Sequence, residues 1–295
     1  MTEESTKTGI HETGEGGLEP GAATTANDRY AIIAGNGRFP FLVLEAAHDR
    51  GLQPLVVAIK EEAFLELGKK AREIEWLSLG EVARLLELLS ERGVNKVVLA
   101  GQVKHVQLFS SIKPDGVIER TLNGMERKNT DALIGAFVSM LEARGIQVVD
   151  STLFLKPLLA DAGAMTERSP DEAELADIAY GREIAKKIAG LDIGQTIIVA
   201  DRACVAVEAM EGTDASIERA AGLSNGKRLV VVKVSKPQQD MRFDVPVVGV
   251  RTVRVMQRAN ARVLAVDAGR TLLFEREQLV REANQAGIAV IGMDV

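Results

Sequence analysis

Tyr30-Ala31-Ile32-Ile33-Ala34-Gly35-Asn36-Gly37-Arg38-Phe39-Pro40 decides the fold. An unbroken apolar run drives straight into glycine, a short polar loop follows, and Pro40 lies at the start of a segment with helical spacing. A strand buried on both faces reads as such a run, and strand, glycine turn and helix in succession open a parallel α/β sheet. The same alternation continues outward. Pro54–Ile59 reads as a second strand, Gly80–Glu91 as a helix with Val82, Leu85, Leu86 and Leu89 on one face, and Lys96–Ala100 as a third strand that again ends in Ala-Gly, at Gly101. Thr130–Arg144 reads as a helix and Ile146–Val149 as a closing strand. The expectation is a Rossmann-like, doubly wound parallel sheet over residues 30–155.

Pro157, Gly163 and the Thr166–Pro170 stretch interrupt this pattern, so residues 156–170 read as a linker. Ser169 is predicted to cap a helix over Asp171–Ala189. Strands at Thr196–Ala200 and Ala203–Val207, separated only by Asp201-Arg202, read as a hairpin. Further strands are expected at Arg228–Val234, Arg262–Val266 and Thr271–Phe274, with helices near Val253–Ala261 and Arg276–Ala286. Residues 171–295 are therefore predicted to form a mixed α/β domain, and the fold class is α/β.

The 295 residues include 46% hydrophobic and 26% charged side chains, with a net charge of −6 and a mean hydropathy of +0.04. A single cysteine excludes a disulfide scaffold or a cysteine-rich metal site and fits a reducing compartment, so a cytoplasmic location is expected. No apolar run approaches the roughly 18 residues of a bilayer span. Residues 1–29 hold Glu3, Glu4, Glu12, Glu15, Glu19 and Asp28 against Lys7 and Arg29, and so carry most of the net charge. They read as a disordered acidic tail, with folding starting at Tyr30. The near-neutral remainder argues against nucleic-acid binding through phosphates. It also has no polybasic patch, so any contact with a membrane surface would be apolar and transient.

Several motifs fall away on context. The Gly35–Pro40 loop stands where a dinucleotide fingerprint would, with Glu61 after the second strand, but Pro40 occupies the third glycine position. It reads as a nucleotide or phosphate contact, with a structural turn as the plain alternative. Gly222-Leu223-Ser224-Asn225-Gly226 matches a nucleophile elbow in letters but follows a helix, so it reads as a helix end. His48 reads as a helix-surface residue, His105 as a loop residue, and Cys204 as a thiol packed in an apolar strand. Two stretches carry chemistry. Glu211-Gly212-Thr213-Asp214 places two carboxylates in a turn, with Asp214 able to cap the next helix. Asp240, Arg242 and Asp244 lie beside Lys236 and between Pro237 and Pro246, and an extended chain would turn the three to one face. Two carboxylates beside two cations suit a metal ion bridging a phosphate, and equally a solvated loop of salt bridges.

At these residues the chain resembles the LpxI-type UDP-2,3-diacylglucosamine diphosphatases of lipid A biosynthesis. The likeness runs from about Tyr30 to the C-terminus. It rests on Ile33–Gly37 with Pro40, Leu99-Ala100-Gly101, Leu191–Gln195, Glu211–Ala215, Lys236-Pro237, Arg242–Pro246, Gly249 with Thr252, and Ala268–Arg270. The resemblance implies two domains with a lipid nucleotide between them. It further implies magnesium-assisted cleavage of the pyrophosphate into 2,3-diacylglucosamine 1-phosphate and UMP. It makes Asp244 the key catalytic carboxylate and Asp240 the second metal ligand, with Lys236 and Arg242 offsetting charge. Gly35, Asn36, Gly37, Arg38, Phe39, Pro40, Gly101, Lys104, Thr130, Asp131, Glu211, Gly212, Thr213 and Asp214 are the expected substrate contacts. Oligomeric state is left open, a homo-oligomer included. An NAD-type oxidoreductase using the first glycine loop, and a nucleotide-sugar binding protein without turnover, are the rival expectations.

Overall fold

The computed structural model describes residues 27–103 and 130–295, with the side chains of Thr130 and Asp131 excepted. β1 (Tyr30–Ala34), β2 (Leu55–Ile59), β3 (Ile74–Leu77), β4 (Lys96–Ala100) and β5 (Gln147–Val148) form one sheet in the order β3-β2-β1-β4-β5. All its pairings are parallel. The chain reverses its direction of winding between β1 and β4, which is the switch point where a doubly wound sheet opens a crevice. Helix α1 (Phe39–His48) covers one face, burying Val43, Leu44 and Ala47 on Tyr30, Ile32, Val56 and Val98. Helices α2 (Val82–Glu91) and α3 (Thr130–Glu142) cover the other, with Leu85, Leu86, Leu89, Val138 and Leu141 on Ala31, Leu55, Val57 and Val97.

The second sheet is mixed. β6 (Gly163–Ala164), β7 (Thr196–Ala200), β8 (Ala203–Val207), β9 (Leu229–Lys233), β11 (Ala261–Asp267) and β13 (Ala289–Met293) take the order β6-β13-β11-β9-β7-β8. β9, β11 and β13 are parallel, while β6, β7 and β8 join antiparallel. Helix α4 (Glu172–Gly190) lies on one face against Val199, Val230 and Val232. It packs so closely that a Cβ on Gly181 would sit 2.9 Å from both Val199 and Val232. Helices α5 (Thr213–Leu223), α6 (Val250–Arg258) and α7 (Arg276–Gln285) cover the opposite face through Ile217, Met256 and Leu279. A short parallel pair, β10 (Val247–Val248) with β12 (Leu272–Leu273), carries Leu272 into the apolar cluster around Tyr30, Ile32 and Phe154.

Several local expectations change. Asp28 and Arg29, read as tail, are already tied down: Lys96 Nζ lies 2.7 Å from Asp28, and the Arg29 amide donates to Asn95 Oδ1 at 2.9 Å. Residues 1–26 lie outside the described residues. Within 156–170, β6 pairs with β13 and Leu159 bridges Leu272. The cap of α4 is Asp171 rather than Ser169, because Asp171 and Glu174 close a reciprocal capping box. Cys204 is exposed, not packed, since β8 is the edge of its sheet. Among the described residues no helix is long and apolar enough to cross a membrane.

The two glycine loops at the switch point are zipped together. Gly35 N–H donates to Ala100 O at 2.8 Å, Asn36 N–H to Gln102 O at 2.7 Å, and Gln102 N–H to Asn36 O at 3.0 Å. Gly101 has φ of +92°, and a Cβ there would sit 2.6 Å from Asn36 O, whereas Gly37 at φ of +96° has open space around it. Gly37→Ala should therefore carry backbone strain alone, about 1–3 kcal/mol, and Gly101→Ala that strain plus the steric clash. Chemical denaturation is expected to place Gly101→Ala clearly below Gly37→Ala. Equal midpoints would show that the loops do not need this approach.

Candidate active site

Beyond β9 the chain does not extend. Residues 237–243 run as successive turns, with Asp244 N–H donating to Asp240 O at 3.0 Å. The alternation expected to bring Asp240, Arg242 and Asp244 to one face is therefore absent. Asp240 instead accepts from the Arg242 amide at 3.0 Å, an Asx-type turn, and clasps the Arg242 guanidinium at 2.7–3.2 Å. The hydrogen bonds from Arg242 hold the Asp240 carboxyl below its ordinary range, and Asp240 in turn raises Arg242. Arg242 also reaches Glu142 on α3 at 2.7 Å, which fastens the turn to the first sheet's helical layer.

Asp244 faces another way. Its Oδ2 lies 3.1 Å from Lys236 Nζ and 3.5 Å from Gln195 Nε2, the outer limit of a hydrogen bond. The Lys236 ammonium also meets Asp192 at 2.7 Å. Gln239 receives the Lys236 amide on its side-chain oxygen and donates back to the Asp244 carbonyl. The Asp244 side chain keeps 27% exposure, so it can still meet a ligand. Asp192 and Gln195 belong here although the sequence reading left them out as site residues. Their signal was the glycine beside them: a Cβ on Gly194 would lie 1.9 Å from Glu208 O, an approach that only glycine permits.

The Glu211–Asp214 turn is also at this sheet edge, and its two carboxylates have structural partners. Glu211 accepts from Arg219 at 2.7 Å, Ser216 at 3.0 Å and the Ala209 amide at 3.0 Å. Asp214 does not cap α5, whose N-cap is Gly212. It takes the Thr252 hydroxyl at 2.8 Å and Arg251 at 3.0 Å. Thr213 links a buried cluster, accepting from Lys233 Nζ at 2.7 Å and donating to Glu208 Oε1 at 2.7 Å. Lys233 closes the apolar run of β9, and a charged residue in such a run was the signal available for it.

The Gly35–Pro40 loop is not the amide cradle that a phosphate reading requires at Gly35 and Asn36, because both amides go to backbone carbonyls. Glu61, the acid that a nicotinamide site would use, instead accepts the Leu79 amide at 3.1 Å. The loop does face the second half of the chain. Arg38 pairs with Glu275 at 2.9 Å, and the Phe39 ring packs on Phe274 with centroids 5.8 Å apart. Thr130 and Asp131 open α3, while Lys104 and His105 lie outside the described residues. His48 is half-buried on α1.

Magnesium requires few protein ligands, because it keeps waters and uses substrate phosphate oxygens alongside one or two carboxylates. Among the described residues no three His, Cys, Asp or Glu side chains are grouped to hold a metal, and Asp240 is engaged with Arg242. Asp244 remains, with the buried and unpartnered Oε1 of Gln195 on the side chain that reaches it. A carboxylate and a carboxamide oxygen are hard donors of the kind this ion takes, with the Gln195 carboxamide turning its oxygen, in place of Nε2, toward the ion.

The two sheets with helices on both faces, and a carboxylate flanked by an amine and an amide at a sheet edge, place the chain among open-sheet α/β proteins. Within that class the chain belongs to the LpxI family: residues 29–158 match the LpxI N-terminal domain and residues 161–291 the LpxI C-terminal domain. UDP-2,3-diacylglucosamine pyrophosphatase LpxI of Caulobacter vibrioides is 32% identical over 216 residues, covering 70% of this chain and 77% of that protein. Similarities to solved structures are weak. Precorrin-6A reductase CobK gives a TM-score of 0.30 at 12% identity, over 90% of this chain and 88% of that one. The biotin carboxylase domain of Hydrogenobacter thermophilus 2-oxoglutarate carboxylase gives 0.27 at 14% identity, over 69% of this chain and 43% of that one.

Glu211 offers a direct check of the turn. Arg219 foremost, then the surrounding hydroxyl and amide donors, lower its carboxyl from 4.5 to about 2. A depressed carboxyl stabilises the fold fully above its unfolded value and loses that contribution as pH falls through its folded value. Glu211→Gln is therefore expected to unfold at lower denaturant at pH 7, with the gap to wild type closing between about pH 4.5 and about pH 2. A gap unchanged at pH 2 would contradict this arrangement.

Proposed function

We propose that the chain hydrolyses the pyrophosphate bond of UDP-2,3-diacylglucosamine, in lipid A biosynthesis, with magnesium as cofactor. Family membership supports the substrate. The observation that carries the site is Asp244, a partly open carboxylate fixed by Lys236 and Gln195 at the sheet edge. Asp244, with Gln195 Oε1, would hold magnesium, which when bound draws electron density from the phosphoryl oxygens.

The chain's own groups do the rest. Lys236, 3.1 Å from Asp244, stands ready to offset negative charge that develops on the phosphoryl group. Arg242 serves through its double contact with Asp240 and Glu142, which fixes the turn bearing Asp244. Asp240 is thereby the guanidinium's partner rather than a metal ligand. The oxygen of a water bonds to the phosphorus nearer the sugar, and the bond from that phosphorus to the bridging oxygen breaks. UMP departs with the bridging oxygen, and the water's proton passes to solvent.

Purified protein incubated with UDP-2,3-diacylglucosamine and magnesium should yield 2,3-diacylglucosamine 1-phosphate and UMP by mass spectrometry. Binding without products would instead favour the non-catalytic nucleotide-sugar reading. Asp244→Ala is expected to lose at least about 100-fold in turnover while keeping its far-ultraviolet spectrum and its affinity for substrate. Turnover near wild type in that variant would remove Asp244 from the mechanism. Chelation should abolish activity and added magnesium restore it; undiminished activity in chelator would remove the metal.

A further inference from the structure

Asp267 is fully buried at the carboxyl end of β11, on the face covered by α4. A lone carboxylate there would be costly, because burial strips it of water. Its Oδ2 takes three donors: the Ser235 amide at 2.7 Å, the Ser235 hydroxyl at 2.7 Å and Lys186 Nζ at 2.6 Å. Lys186, reaching in from α4, also donates to the Ser235 carbonyl at 3.1 Å. The ion pair thus grips both polar groups of one peptide residue, its N–H through the buried carboxylate and its C=O through the partly exposed ammonium. The other oxygen, Oδ1, accepts no hydrogen bond and faces Arg182 3.8 Å away.

Ser235 is where the chain leaves β9, and the next residue is Lys236, whose ammonium meets Asp244. Beyond it the Asp240–Asp244 turn is fastened at Met241 O and Arg242 O by the buried Ser151 and otherwise by partly exposed ion pairs. Ion pairs of that kind contribute little rigidity individually. Asp267 is fully buried and Lys186 about one-quarter exposed, so this pair is better shielded from water than the ion pairs of the turn.

We infer that Asp267, with Lys186, is a positioning residue that clamps Ser235 and thereby sets Lys236 against Asp244. The catalytic part of this inference rests on the proposed hydrolysis; the clamp itself does not. Small displacements of a catalytic group by a change elsewhere reduce turnover by up to about 100-fold. The inference therefore requires Asp267→Asn to act on turnover rather than on substrate affinity.

Two measurements on the full chain test it, with Asp267→Asn and the charge-balanced Lys186→Gln/Asp267→Asn. Hydrogen–deuterium exchange reads the clamp without activity: amides of residues 234–240 should exchange at least about 10-fold faster in both variants, while β1 and β2 stay protected. Kinetics read its consequence: kcat should fall about 10- to 100-fold with KM within threefold. The double variant should recover the melting temperature lost by Asp267→Asn without recovering kcat. Unchanged exchange overturns the clamp. A kcat within twofold of wild type in folded Asp267→Asn, or a kcat restored in step with melting temperature, overturns the positioning role. If wild-type protein releases no UMP, the proposed function fails, and the exchange result still decides the clamp.

Discussion

Ser151 is the residue on which the arrangement of the two sheets turns. Its amide donates to Met241 O at 2.9 Å, and its hydroxyl lies 2.7 Å from Leu99 O and 2.6 Å from Arg242 O. One buried side chain therefore joins the end of β4, beside the second glycine loop, to the turn that presents Asp244. Buried backbone carbonyls need such partners, since an unmet one costs about 1–3 kcal/mol. Apolar contacts complete the join: Val245, Val247 and Leu272 pack on the cluster around Tyr30, Ile32 and Phe154. The chemistry-bearing turn is thus built as much on the first sheet as on the second.

The charges at the edge are arranged for geometry more than for stability. Lys236 lies between Asp192 and Asp244, and Arg242 between Asp240 and Glu142. Among the described residues each cation so has two carboxylates beside it, a net negative balance in both clusters. That balance disfavours a bare polyanion and favours one arriving with a divalent cation, in keeping with the proposed magnesium requirement. The zipped glycine loops point the same way, because their paired amides at Gly35 and Asn36 are not free to neutralise a phosphate.

The buried strands were legible because short apolar runs with β-branched residues, too short for a helix and bounded by glycine, proline or polar residues, favour strand, as in β1, β2 and β9. β3 escaped notice because Ile74-Glu75-Trp76-Leu77 is a half-exposed edge with a charge inside it. β13 escaped because Gly292 interrupts its run, and that glycine answers a tertiary demand: a Cβ there would lie 1.8 Å from Asp161 O. At the site, Asp244, Lys236 and the Glu211–Asp214 turn were legible as residues, but their geometry was not. The period-two argument for Asp240, Arg242 and Asp244 presumed extended chain. Asp240 closes a local turn on its own neighbour instead, and local side-chain bonds of Asp compete effectively with strand geometry. Asp192 and Gln195 flank a glycine required by the carbonyl of Glu208, a residue distant in sequence.

Two kinds of support meet at the edge, and they differ in what they tolerate. Gly194 against Glu208 O and Gly292 against Asp161 O are backbone contacts, so the strand ends carrying Gln195 and closing β13 cannot shift without unpacking. Packed interiors resist displacement because every vacated volume loses contacts. The turn from Lys236 to Val245 has no comparable packing on its polar side and takes its shape from directional bonds at Ser151, Arg242, Gln239 and Ser235. Hydrogen bonds fix angle more sharply than they fix energy. An edge made this way holds Gln195 by steric necessity and Asp244 by orientation, so the oxygen donors proposed for magnesium sit on opposite sides of the division between rigid strand ends and a bonded turn.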